Sequence, residues 1–152
     1  MTMVKGCFYG VGVGPGDPEL MTLKAVRLLR ECPVVAAPRS GKDGERVALG
    51  IAREAVPELA GKPLLELDMP MVRDPQVLSE SHDRAADLIC RRLEAGESVA
   101  FLTLGDPTVY STYIYLHKRV VARGYEAVIV PGVPSFCAVA ARLGVSLAEG
   151  KE

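Results

Sequence analysis

Metal-binding and disulfide signals are missing from this sequence. Its four cysteines, Cys7, Cys32, Cys90 and Cys137, are scattered, no C-x-x-C pair occurs, and neither His82 nor His117 has a neighbour at ligand spacing. A zinc site needs clustered thiolates and imidazoles, and a disulfide framework needs paired cysteines, so no metal site and no disulfide is expected. All four cysteines are expected to be small core residues, the usual setting of an inert thiol. An excess of one charge is missing too: 18 Lys and Arg are interspersed with 19 Asp and Glu, for a formal net charge of −1. Nucleic-acid binding needs a basic face, so no nucleic-acid partner is expected. No stretch approaches the ~18 apolar residues of a membrane span, and the start, Met1 to Lys5, has no apolar core or cleavage site of a signal peptide. The expectation is a cytoplasmic protein without a membrane partner. Internal repeats and low-complexity tracts are absent as well.

What is present is a core. The 152 residues are 49% apolar and 24% charged, enough for one domain to bury about two thirds of its extended-chain surface. Short apolar runs alternate with segments of helical spacing. Cys7–Val13, Val34–Ala37, Leu64–Leu67, Val99–Leu104 and Ala127–Val130 read as strands. Leu23–Arg30 (capped by Thr22), Glu45–Ala55, Ser81–Ala95, Thr112–Arg123 and Ser135–Leu143 read as helices, with Gly96, Gly124 and Gly144 as stops. Lys62 to Ser79, punctuated by Pro63, Pro70 and Pro75, reads as a loop. Strands buried on both faces appear as continuous apolar runs, and strict alternation with helices implies parallel pairing. The expected class is α/β: a doubly wound, five-stranded parallel sheet with helices on both faces.

Ligands of such sheets sit at the carboxyl ends of the strands. Three loops there are rich in breakers: GVGVGPGDP from Gly10 to Pro18, LGDPTVY from Leu104 to Tyr110, and PGVPS from Pro131 to Ser135. The first fails the dinucleotide fingerprint, because the third glycine is replaced by Pro15 counting from Gly10 and by Asp17 counting from Gly12. The second strand also ends in Pro38 and Arg39 rather than in an acid that would hold a ribose. No Walker A pattern occurs. Gly105 permits close approach of a ligand to the backbone, and Pro107 fixes the bend that presents Asp106.

In this order on these elements, the loops resemble the tetrapyrrole methylase family. The resemblance is carried by YGVGVGPGDPELMTLKA (9–25), by Gly105, Asp106 and Pro107, and by Pro131, Gly132 and Val133 followed by a small hydroxyl residue. Within the family, FLTLGDPTVYSTYIYL (101–116) and PGVPSF (131–136) look most like the members that methylate carbon 20 of precorrin-2. The resemblance implies strand order 3-2-4-1-5, S-adenosyl-L-methionine as cofactor, a tetrapyrrole as small-molecule substrate, and a homodimer. Carried over residue by residue, it implies cofactor contacts at Val13, Leu104, Gly105, Asp106, Val109, Ser135 and Phe136. Substrate contacts are expected at Gly14, Pro15, Gly16, Asp17 and Arg39. The catalytic candidates are Asp106, as a carboxylate that orients the cofactor, and Tyr110, as a nearby hydroxyl.

The family's members run on into a second α/β domain. Residues 1–144 are therefore expected to be the first domain and 145–152 the start of a linker, with the 152 residues inactive by themselves. Lys42 and Arg46 after the second strand join Arg39 as basic residues that either meet substrate carboxylates or are simply wet surface. Two other function classes stay open on the residues alone: a nicotinamide-dependent oxidoreductase domain and a non-catalytic binding module. Another tetrapyrrole methylase, acting at a different ring position, is the alternative within the family.

Overall fold

A computed structural model of the chain describes residues 4–39 and 43–150, with side chains at 43–45 left out. Lys42 lies outside the described residues. Five strands, β1 (Cys7–Gly12), β2 (Val34–Pro38), β3 (Leu64–Leu67), β4 (Val99–Thr103) and β5 (Glu126–Val130), form one sheet in the order β3-β2-β4-β1-β5. Every pair is parallel, with Phe8 opposite Val99 and Ala127, and Val34 also opposite Val99. This is the architecture and strand order expected above.

Helices α1 (Leu23–Glu31) and α2 (Asp43–Ala55) cover one face, while α3 (Pro75–Glu94) and α4 (Tyr113–Ala122) cover the other. The two-residue period of the strands sorts their side chains. Val11, Val35, Ala100 and Leu102 pack with Ala25, Leu28 and Leu29 of α1 and Ala48, Ile51 and Ala52 of α2. Phe8, Val34, Ala36, Val99 and Phe101 pack with Ala85, Ile89 and Leu93 of α3 and Tyr113, Leu116 and Val120 of α4. A fifth helix, α5 (Ser135–Leu143), buries only Ala140 and ends at Gly144 in the left-handed conformation that glycine favours. Residues 145–150 form neither helix nor strand.

Local chemistry explains the boundaries. Thr22 caps α1 by accepting from the Ala25 N–H at 3.0 Å, as its sequence position suggested. The expected start of α3 at Ser81 was too late. Asp74 accepts from the Gln76 N–H at 2.9 Å, and Pro75 occupies the first helical position, where its missing N–H costs nothing. Pro75 therefore starts the helix; read as punctuation, it hid nearly two turns. The four cysteines divide. Cys32 and Cys90 are buried and Cys7 is half-buried, but Cys137 is exposed on α5, because this helix lacks the cover that a core position requires.

Lys62 closes α1 from outside. Its ammonium donates at 2.6 Å to the carbonyls of Leu29, Arg30 and Cys32, which are left unpaired at the helix end. Replacing Lys62 by Met keeps the aliphatic stem and removes three charge-assisted bonds. Chemical denaturation should register a loss of about 1–3 kcal/mol.

Candidate functional site

The three breaker-rich loops meet at the carboxyl edge of the sheet, backbone against backbone. A methyl group at Gly12 would fall 2.6 Å from the Gly105 carbonyl oxygen and 2.9 Å from Gly132, and one at Gly132 would collide with the same oxygen. Across this contact the Gly105 N–H donates to the Gly14 carbonyl at 2.8 Å, and the Val13 N–H to the Thr103 carbonyl at 2.9 Å. Gly105 has φ +71° and Gly14 φ +80°, which a side chain would strain. Gly12 thus serves close packing against the other two loops, and Gly14 serves the turn that follows it.

Asp106 ties the second loop to the third. One carboxylate oxygen accepts from the Gly132 N–H at 2.8 Å; the other accepts from the Thr108 N–H at 2.8 Å and from the Thr108 hydroxyl. Partial burial pushes its pKa up, but these bonds from Thr108 and Gly132 outweigh burial and hold it below the usual carboxylate value. Asp106 is therefore ionised at neutral pH. Thr108 is a member of the site that the sequence reading missed; a hydroxyl two residues after an Asp in a turn was the available signal.

Around Asp106 lies a hollow of about 200 Å³ lined by Pro15, Leu104, Gly105, Asp106, Val109, Tyr110, Pro134 and Ser135. It gathers five of the seven cofactor candidates, one substrate candidate and both catalytic candidates. Val13 and Phe136 are not in its lining: Val13 is wholly buried, and Phe136 stands half-exposed on α5. Asp17 accepts from the Glu19 N–H at 2.9 Å and so caps the short 3-10 turn Pro18–Leu20. Gly14 is buried in the loop contact and Gly16 is exposed. Arg39 follows β2, the neighbour of β4, and is exposed with its Nε 3.2 Å from Glu66; it does not line this hollow. Arg46 is exposed on α2.

Tyr110 joins the hollow to two further cavities. It also borders a space of about 280 Å³ under Met71 and Thr112 and a larger one of about 700 Å³ between α3 and α4. Its ring is fully exposed, and its φ of +52° is the only positive value outside glycine among the described residues. A bulky residue held there stores strain that the surrounding loop must overcome, a feature that clusters at ligand sites. Behind it, Thr103 and Ser111 share a hydrogen bond of 2.6 Å that fixes the loop on β4.

Comparison with known proteins settles the family. The family model of tetrapyrrole (corrin/porphyrin) methylases matches residues 7–152. This chain belongs to that family. A probable cobalt-precorrin-2 C(20)-methyltransferase of Methanocaldococcus jannaschii is 41% identical over 144 residues, covering 95% of this chain and 60% of the relative. A precorrin-2 C(20)-methyltransferase of Sinorhizobium sp is 33% identical, covering 97% and 62%. Among solved structures, a uroporphyrin-III C-methyl transferase from Thermus thermophilus complexed with S-adenosylhomocysteine superposes with a TM-score of 0.62 at 32% identity, covering 96% of this chain and 55% of that one. This tetrapyrrole methylase chain thus spans about 60% of the length of its relatives.

Two measurements test the geometry. Gly132→Ala forces a methyl group onto backbone that has nowhere to go and should destabilise by about 1–3 kcal/mol, whereas Gly50→Ala, in open space on α2, should stabilise by about 0.5–1 kcal/mol. Asp106→Asn keeps an acceptor for Gly132 but turns an amide donor toward the Thr108 N–H, at a cost near neutral pH of about 1–3 kcal/mol. Because the folded pKa of Asp106 is depressed, its stabilising contribution is present above the ordinary carboxylate value and is lost as pH falls through the folded one. The gap between wild type and Asn variant in urea titrations should therefore narrow on acidification below the ordinary value.

Proposed function

We propose that the whole protein transfers a methyl group from S-adenosyl-L-methionine to carbon 20 of precorrin-2 or its cobalt form, in corrin formation. The observation that carries this reading is an ionised carboxylate seated among three loop ends, in a hollow where it is the only charged group and Pro15, Leu104, Val109 and Pro134 offer apolar surface beside the hydroxyls of Tyr110 and Ser135. Asp106 accepts three hydrogen bonds within the chain and has room for about one more. That remaining lone pair suits a cationic ammonium. Leu104, Val109 and the nearby Phe136 offer apolar surface for an adenosyl group. A fixed negative charge is a poor host for a pyrophosphate, which disfavours the nicotinamide alternative. The family and the two C(20)-methyltransferase relatives point the same way.

When bound, S-adenosyl-L-methionine supplies a methyl group on a positively charged sulfur, a donor already activated for in-line displacement. The protein's part is alignment and exclusion of water. The loop contact at Gly12, Gly105 and Gly132 holds the hollow's walls in register, Asp106 orients the cationic end, and Tyr110 stands between the hollow and the wider cavities where a macrocycle would lie. Methylation of carbon 20 would also release the proton that this carbon carries. We assign that proton to no residue.

The proposal extends to organisation. Residues 1–144 act as one domain that supplies one wall of the site, and 145–152 lead toward further chain. Self-association into a homodimer has exposed apolar surface available at Phe136, Val139 and Leu143 of α5. Among the described residues, no helix is long and apolar enough to cross a membrane, and the four free cysteines suit a reducing cytoplasm.

Binding tests this without requiring turnover. S-adenosylhomocysteine at a hundred times its dissociation constant should stabilise by about 2.7 kcal/mol, raising the melting temperature by about 5–10 °C. A nicotinamide dinucleotide should leave it unchanged. Protection by the dinucleotide alone would reverse the assignment.

A further inference from the structure

Thr108 reaches the methyl-donor hollow without standing in it. The hollow's lining passes from Asp106 to Val109, and Thr108 borders instead the larger cavity between α3 and α4. It is exposed and belongs to neither core cluster. Its polar groups nevertheless converge on one atom of the hollow. The Thr108 N–H, at 2.8 Å, and the Thr108 hydroxyl both donate to the Asp106 Oδ2, while the Gly132 N–H donates to the Oδ1 at 2.8 Å. The carboxylate is thus gripped from opposite sides by two loops.

The torsion that turns a carboxylate about its bond to Cβ is broad, so one donor would leave the group free to swing. Donors on both oxygens fix its plane. A carboxylate offers about four acceptor positions, and three are taken within the chain. With the plane fixed, the position that remains has one direction. Of the three donors, two are backbone N–H groups that any residue at 108 or 132 other than proline would supply. The hydroxyl is the contribution that depends on the side chain at 108. It bears on charge as well as on direction: burial raises the Asp106 pKa, and the Thr108 hydroxyl leads the bonds that lower it, ahead of the Gly132 N–H.

We infer that Thr108 is a positioning residue for the methyl donor, its hydroxyl fixing the plane of the Asp106 carboxylate so that the remaining lone pair meets the donor's ammonium. This rests on the proposed function above, which places that ammonium in the hollow. Valine at 108 keeps the shape of threonine but sets a methyl group where the Asp106 oxygen now accepts a proton. A methyl group cannot approach an oxygen that closely, so the carboxylate must turn. Serine keeps the hydroxyl and with it the plane. Because Thr108 is outside the hollow's lining, neither substitution alters the wall that a ligand touches.

Calorimetric titration of the chain with S-adenosylhomocysteine tests this, beside an analogue in which hydrogen replaces the amine. At neutral pH Thr108→Val should weaken S-adenosylhomocysteine by about tenfold, a difference of about 1.4 kcal/mol, and Thr108→Ser should restore it. The amine-free analogue should bind wild type more weakly than S-adenosylhomocysteine does, and all three chains alike, which also shows that the loop has kept its fold. On acidification toward the ordinary carboxylate value, the affinity of Thr108→Val should begin to fall at a higher pH than that of wild type, because the leading bond that favours the ionised form is gone. Unchanged affinity in Thr108→Val, failure of serine to restore it, or an equal loss for the amine-free analogue would each overturn the inference. A wild type that binds neither ligand, or both alike, would instead overturn the placement of the ammonium beneath it.

Discussion

The site depends on one steric constraint: three strands must deliver their loops to a point where only hydrogen atoms separate the chains. Gly12, Gly105 and Gly132 meet there, and a single added carbon at Gly12 or Gly132 would overlap backbone. Backbone cannot rotate out of the way as a side chain can, so the cost of filling this contact falls on the sheet itself. The arrangement brings β1, β4 and β5, which are neighbours in the sheet, to a common edge. It also places the Gly132 N–H within reach of Asp106, so that close packing and electrostatics are consequences of the same geometry.

Strain and order are unevenly spread around that point. The central strands are buried and their helices well covered, whereas Tyr110 carries an unfavourable backbone angle with its ring in solvent. Nothing in the core requires the ring to be there. A fixed carboxylate on one side, an exposed aromatic ring at the junction and an apolar cavity beyond form a gradient from polar to apolar along the sheet edge. Such a gradient suits two ligands of different character held side by side. Methyl transfer demands that juxtaposition, because the donor needs no activation but the distance and line of attack must be set.

Much of the fold was legible because its signals are local. Continuous runs such as Val34–Ala37 and Val99–Thr103 are what strands buried on both faces require, and Thr22 and Gly144 mark helix ends by chemistry confined to one turn. Pro75 misled because the same residue both breaks helices and begins them, and only the Asp74 cap decides between the two. The loops were visible as clusters of breakers, but their purpose was not. That Gly132 packs on Gly105, 27 residues earlier, depends on strand order, which came from family resemblance rather than from periodicity. The Asp106–Thr108 turn lay within reach of the sequence.

The central claim is that the loops joined at Gly105 and Gly132 form the seat of the methyl donor. The direct measurement is a map of backbone amide chemical shifts in a titration of the chain with S-adenosylhomocysteine. The account predicts that the largest shifts fall on Leu104–Tyr110, excluding Pro107, and on Gly132–Phe136, excluding Pro134, with α3 and the β2–α2 connection little changed. Largest shifts on α3 or after β2, with the Gly105 and Gly132 amides unmoved, would contradict it.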